Sequence, residues 1–116
     1  MFDMNHGIIT VNRGDSFIIN MPINLGNPIN PNYYTLQEDD LVYFGLMEPN
    51  QPFEFALVRK VFTNENQSQG ILSMEFKPED TECLLPGRYY YSLKLFKASD
   101  ESVYTFVPNT KFVIID

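Results

Sequence analysis

The chain has one cysteine, Cys83, one histidine, His6, and no tryptophan. A lone cysteine excludes an intrachain disulfide, and with one histidine it excludes a four-ligand zinc site of those residues. That fits folding in a reducing cytoplasm. Positive charge is also scarce: 8 Lys and Arg stand against 15 Asp and Glu, a net charge of -7. The basic residues are scattered, with Arg59-Lys60 the sole adjacent pair. A phosphate backbone requires clustered Lys and Arg, so nucleic acid and anionic membrane are poor partners. No stretch approaches the roughly 20 apolar residues that span a bilayer. The start, "MFDMNHGIIT", has neither a basic segment nor a long apolar run and does not read as a signal peptide.

What the chain does have is strand pattern. Its 116 residues suit one domain, and the 44% hydrophobic and 15% aromatic content is enough to build a core. Residues 1–7 read as an N-terminal arm, and 8–116 as a single β-sandwich domain. Short strands are expected at 8–12, 16–21, 41–48, 53–62, 71–76, 88–97, 103–107 and 111–115. Gly14 and Asp15 supply the bend after the first of these. Pro22, Pro49, Pro78, Pro86 and Pro108 fall between strands, where a missing N–H costs least. Residues 22–32 are Pro, Asn and Gly throughout and read as a long loop. The one helical candidate is a single turn within 78–84, with Pro78 first and acids behind it.

Few residues suggest chemistry. His6 has no partner that the sequence can position. Cys83 sits beside Glu82, the wrong environment for a reactive thiolate, and reads as a small side chain tucked under a turn. The clusters Glu38-Asp39-Asp40, Glu79-Asp80 with Glu82, and Asp100-Glu101 lack the spacing of a calcium loop and read as solvated turns. Arg13-Gly14-Asp15 contains an adhesion tripeptide but serves as a hairpin bend. The chain is expected to be noncatalytic, without metal or cofactor.

The aromatics say more. Tyr89, Tyr91, Leu93 and Leu95 share one face of their strand, expected to be the core. Tyr90 and Phe96 point the other way. If Tyr104 and Phe106 lie on that same outer face, four rings form a patch of the size that marks interaction sites. The alternative is that residues 22–36 of the chain itself cover it. Phe2 and Met4 on the arm, and Tyr33 and Tyr34 at the loop end, are further contact candidates. A carbohydrate platform is a lesser reading, weakened by the lack of tryptophan.

The segment Leu84-x-Pro86-Gly87-x-Tyr89-x-Tyr91 resembles the corner before a late strand in Ig-like sandwiches. There a tyrosine hydroxyl bonds back to the turn, and Tyr89 is placed for that role. The resemblance implies an all-β, Ig-like antiparallel sandwich of about seven to nine short strands. More broadly, "NRGDSFIINMPIN", "EDDLVYFGLMEP", "FKPEDTECLLPGRYYYSLKLF" and "VYTFVPNTKFVI" together resemble small structural domains of tailed bacteriophages. The nearest family is the N-terminal domain of phage baseplate upper proteins, and the likeness runs in order over nearly the whole chain. It implies a virion protein, made in the host cytoplasm, whose partners are capsid, tail or baseplate proteins or further copies of itself. Baseplate upper proteins continue into a segment that serves the receptor-binding protein. This sequence ends at Asp116, directly after its last strand, and so is expected to be a stand-alone module, for which an accessory role on the capsid, tail or head fibre is as plausible as a receptor-binding adaptor role.

Overall fold

The computed structural model describes residues 2–116. Ten strands form five successive hairpins that alternate between two sheets. The first, third and fifth hairpins are β1 (Phe2–Asn5) with β2 (Ile8–Asn12), β5 (Leu41–Met47) with β6 (Val58–Phe62), and β9 (Gly87–Lys97) with β10 (Ser102–Ile115). They make a six-stranded sheet in the order β1-β2-β10-β9-β5-β6. The second and fourth are β3 (Phe17–Asn24) with β4 (Tyr33–Tyr34), and β7 (Gln67–Ser68) with β8 (Ile71–Phe76). They make a four-stranded sheet, β4-β3-β8-β7. This is an all-β sandwich of Ig-like organisation. Strand pairing is antiparallel except between β2 and β10, which run parallel.

Local chemistry explains most boundaries. β8, "ILSMEF", alternates without a break: Leu72, Met74 and Phe76 are buried and Ile71, Ser73 and Glu75 are exposed. α1 (Pro78–Thr81) is one turn, begun by Pro78 and closed by the bond from the Glu82 N–H to the Pro78 carbonyl.

Several elements depart from the sequence expectation. Of the expected arm, residue 1 lies outside the described residues, and residues 2–5 are a paired strand. His6 and Gly7 form the tight turn behind it, with φ of 53° and 82°, the double positive φ that matches strand twist. The Arg13-Gly14-Asp15 bend crosses between the sheets and is not a hairpin. It is held by the Arg13 N–H on the Ile115 carbonyl (2.7 Å), an Arg13–Asp116 ion pair (2.9 Å) and the Gly14 N–H on Thr81 Oγ1 (2.9 Å). The expected strand 53–62 begins instead as a 3-10 turn, Phe53–Phe55. The two last expected strands are one, because Pro108 falls in a bulge: the β9 register shifts between Val107 and Thr110. A bulge needs no ladder N–H from its extra residues. Ser92 Oγ donates to the Val107 carbonyl there at 2.9 Å.

The core is aromatic at its centre. Phe76 stacks on Phe17 (4.7 Å between centroids) and meets Phe44 edge-on at 4.8 Å. Tyr91 lies between Phe44 and Phe112, 5.9 and 6.1 Å away. The Tyr91 hydroxyl leaves this cluster to donate to the Gly7 carbonyl at 2.6 Å, which fastens the β1–β2 turn to the core. Burial pushes its pKa up to about 12, so it remains a donor across the physiological range.

Tyr89 is buried, and its hydroxyl donates to the Leu85 carbonyl four residues upstream at 2.6 Å. Burial, and then the nearby Glu48 charge, raise its pKa. The bond pins the turn that carries the chain from β8 to β9. Tyr89→Phe keeps the ring and leaves the carbonyl to water, so it should cost about 1 kcal/mol in urea denaturation. Tyr90→Phe, on the opposite face, should cost nothing measurable.

Candidate functional site

Cross-strand register places side chains on the outer face of the six-stranded sheet. Lys94 lies between Thr105 of β10 and Tyr43 of β5, and Tyr43 is followed by Val61 of β6. One row along, Ser92, Gly45 and Arg59 align. Beyond them Lys111, Tyr90 and Met47 share a row, then Val113 and Arg88. At the other end Phe96 sits between Val103 and Leu41.

Four of the eight basic residues, Arg59, Arg88, Lys94 and Lys111, stand on this face. None of its positions on β5, β6, β9 or β10 is Asp or Glu. The remainder of the chain carries -11, the net -7 less these four positive charges. A markedly acidic protein thus keeps one basic and aromatic sheet face.

The 3-10 turn Phe53–Phe55 roofs the middle of that face. The Phe53 ring rests against Gly45, where an added Cβ would come within 2.5 Å of the ring. Lys94 Nζ lies 4.6 Å from the Phe53 centroid, a cation–π contact. Arg59 Nη2 donates to the Glu54 carbonyl and ties the turn to edge strand β6. Between turn and sheet is a cleft of about 260 Å³ lined by Tyr43, Phe53, Glu54, Arg59 and Val61, among others.

The expected patch of four aromatics is not formed. Tyr90 and Phe96 lie on the outer face, both half-buried. Tyr104 pairs with Leu95, a core position, so it points away from them. Phe106 packs against the core. The hairpin register, Ser102 opposite Lys97, sets this side before the first bulge, which comes only after Thr105. Tyr104 and Phe106 line a separate cleft with Asn24, Leu25 and Gly26 of the chain's own loop. Val103 takes the expected place of Tyr104 beside Phe96.

The remaining candidates divide. Phe2 is 38% exposed but stacks on Phe17 at 5.3 Å, and Met4 packs against the core. Both belong to a strand of this domain and not to a free arm. Tyr33 is open to solvent, 64% exposed, beside Pro22 and Ile71 on the other sheet. Tyr34 turns inward and donates to Asp40 Oδ2 at 2.5 Å. Leu84 packs against the core, while Pro86 and Gly87 are exposed at the corner that Tyr89 pins.

Two expectations about polar residues are corrected. Cys83 is exposed and not tucked beneath the turn. Asp40 is no solvated turn residue: it is 1% exposed and accepts hydrogen bonds from the Tyr34 hydroxyl and from the N–H groups of Gln37 and Ala98, both at 2.9 Å. Asp80 pairs with Lys60 at 2.7 Å, and Lys60 also lies 4.8 Å over the Phe76 ring. That pair closes the β6 side of the core. The candidate-site residues missed in the sequence are Phe53, Tyr43 and Arg59. "NQPFEF" held a usable signal, since Pro52 followed by an aromatic fits a turn as well as a strand. No family model matches this chain, and no curated protein matches it.

Proposed function

We propose that this protein is a noncatalytic structural subunit of a tailed-phage particle. It docks onto a larger virion assembly, at the capsid, a head-fibre base, the tail or the baseplate. The observation that carries the docking reading is the outer face of the six-stranded sheet: four positive charges and several aromatic side chains on a chain whose remainder is -11. Docking needs apolar anchors and complementary charge in a fixed surface, and a rigid sheet face supplies both. The virion assignment rests on the resemblance of the Gly-Asp bend, the Pro86-Gly87-x-Tyr89 corner and the "VYT" strand to phage structural domains. Mass spectrometry of purified particles from phage encoding this chain should find it at a fixed ratio to the capsid or tail proteins. Detection in infected-cell lysate alone would refute the reading.

A carbohydrate-binding module is the second reading, favoured by the two rings, Tyr43 and Phe53, that line the outer cleft. A glycan array separates the two: sugar binding lost in Tyr43→Ala would support this reading over the first.

A further inference from the structure

We infer that the cleft beneath Phe53 is an anchor pocket for one apolar side chain of an acidic protein segment, with Arg59 and Lys94 receiving that segment's carboxylates. This rests on the docking reading above and names its partner's chemistry.

The walls and the rim of the cleft differ in character. Tyr43, Phe53 and Val61 give apolar walls, and Val61 is 54% exposed without an apolar cover. The volume, about 260 Å³, falls below the ~300–1,000 Å³ of small-molecule pockets and suits a single large side chain. The rim is positive on balance: Arg59 and Lys94 outnumber the one carboxylate there, Glu54. Arg59 uses one guanidinium nitrogen on the Glu54 carbonyl, which leaves further N–H donors in its fork. Lys94 lies in the adjoining row, over the Phe53 ring. The other cations of the face, Arg88 and Lys111, extend the positive field along β9 and β10.

Charge selects among occupants. A second copy docked face to face would oppose four positive charges with four more. Single-stranded nucleic acid would need open ring faces for stacking, but Lys94 already covers Phe53. It would also meet the repulsion of an otherwise acidic chain. An acidic segment carrying one leucine or aromatic side chain satisfies both walls and rim, with the apolar group as the anchor and the rim charges setting orientation and rate.

The test uses the full chain, ¹⁵N-labelled, titrated by NMR with a peptide bearing a central leucine between paired glutamates. The counterpart peptide has glutamine for glutamate, and oligothymidylate is a third ligand. The glutamate peptide should shift the amides of Tyr43, Phe53, Arg59 and Val61. Binding should weaken at least about fivefold for the glutamine peptide and at roughly 0.5 M salt. Val61→Glu, at an exposed edge-strand position, should abolish it without lowering Tm, and Arg59→Gln should weaken it. Ile71→Glu, on the other sheet, should leave it unchanged. Equal binding of both peptides, shifts confined to other surfaces, tighter binding of oligothymidylate, or peptide-independent self-association through the same amides would each overturn the assignment. A chain found in virions whose cleft ignores the peptide refutes the anchor pocket alone. A cleft that binds in a chain absent from virions refutes the virion assignment alone.

Discussion

Asp40→Ala should lower the free energy of unfolding by about 3–5 kcal/mol, the largest loss expected from any single polar substitution in this chain. The carboxylate holds three donors from three places: the Tyr34 hydroxyl on β4, the Gln37 N–H in its own loop, and the Ala98 N–H at the start of the β9–β10 hairpin. It joins the loop leaving the four-stranded sheet to the tip of the longest hairpin in the other. Truncation leaves those donors facing a small apolar group, and a buried unsatisfied donor costs about 1–3 kcal/mol. Tyr34→Phe, which removes one of the three bonds, should cost about a third as much. Urea denaturation of the two variants beside the parent checks both the size and the ratio.

The same carboxylate should make the protein sensitive to acid. Burial is the largest single influence on Asp40 and pushes its pKa up. The Tyr34 hydroxyl, the Gln37 and Ala98 N–H groups and the Lys97 charge together outweigh burial and hold it below the usual 3.8. Tyr34 responds in the opposite sense: burial, then the bond to Asp40 and its charge, raise the phenol to about 12. Well above pH 3.8 the Asp40 carboxyl is ionised both folded and unfolded, and its stabilisation is complete. Below that value the unfolded chain takes up a proton that the folded chain resists, so stability falls with pH. The contribution is gone once pH drops through the folded pKa. Asp40→Asn should therefore flatten the stability profile below about pH 4. An unchanged slope in that variant would show that other carboxyls carry the acid transition.

Phe76→Ala should cost about 3–5 kcal/mol. Phe76 is 2% exposed and is the ring at which the two sheets meet. It stacks on Phe17 of its own sheet and contacts Phe44 edge-on and Phe62 at 6.3 Å across the interface. It also carries the Lys60 ammonium over its ring. Alanine would leave a cavity walled by other rings, which cannot collapse without disturbing the Lys60–Asp80 pair at the edge. Phe76→Leu, which fills most of the volume, should recover more than half of the loss. Thermal unfolding of both variants decides it, and equal Tm values for alanine and leucine would show that the site relaxes freely.

Fold class was legible from the chain alone, because period-two alternation and turn chemistry are local properties. "ILSMEF" announces one buried face whatever surrounds it, and its strand is found at the expected residues. The odd-position face of 88–97 reads as core for the same reason, and Tyr89, Tyr91, Leu93 and Leu95 are all buried. The turn Leu84-x-Pro86-Gly87 likewise places the Tyr89 hydroxyl by spacing along one short segment.

The outer face was settled by strand packing. Which side Tyr104 takes depends on the hairpin register, Ser102 opposite Lys97, which sets Tyr104 against core-facing Leu95. A register shifted by one residue would put Tyr104 beside Phe96 on the outer face. Phe53 became a roof over the sheet because Gly45, eight residues earlier on β5, leaves room for its ring. Asp40 became an anchor because its three donors converge from segments as far apart as residues 34 and 98. Basic residues that look scattered along the chain gather on one face because β5, β6, β9 and β10 align them in register. Strand identity depends on neighbours within a few residues, whereas the site depends on which strands lie side by side.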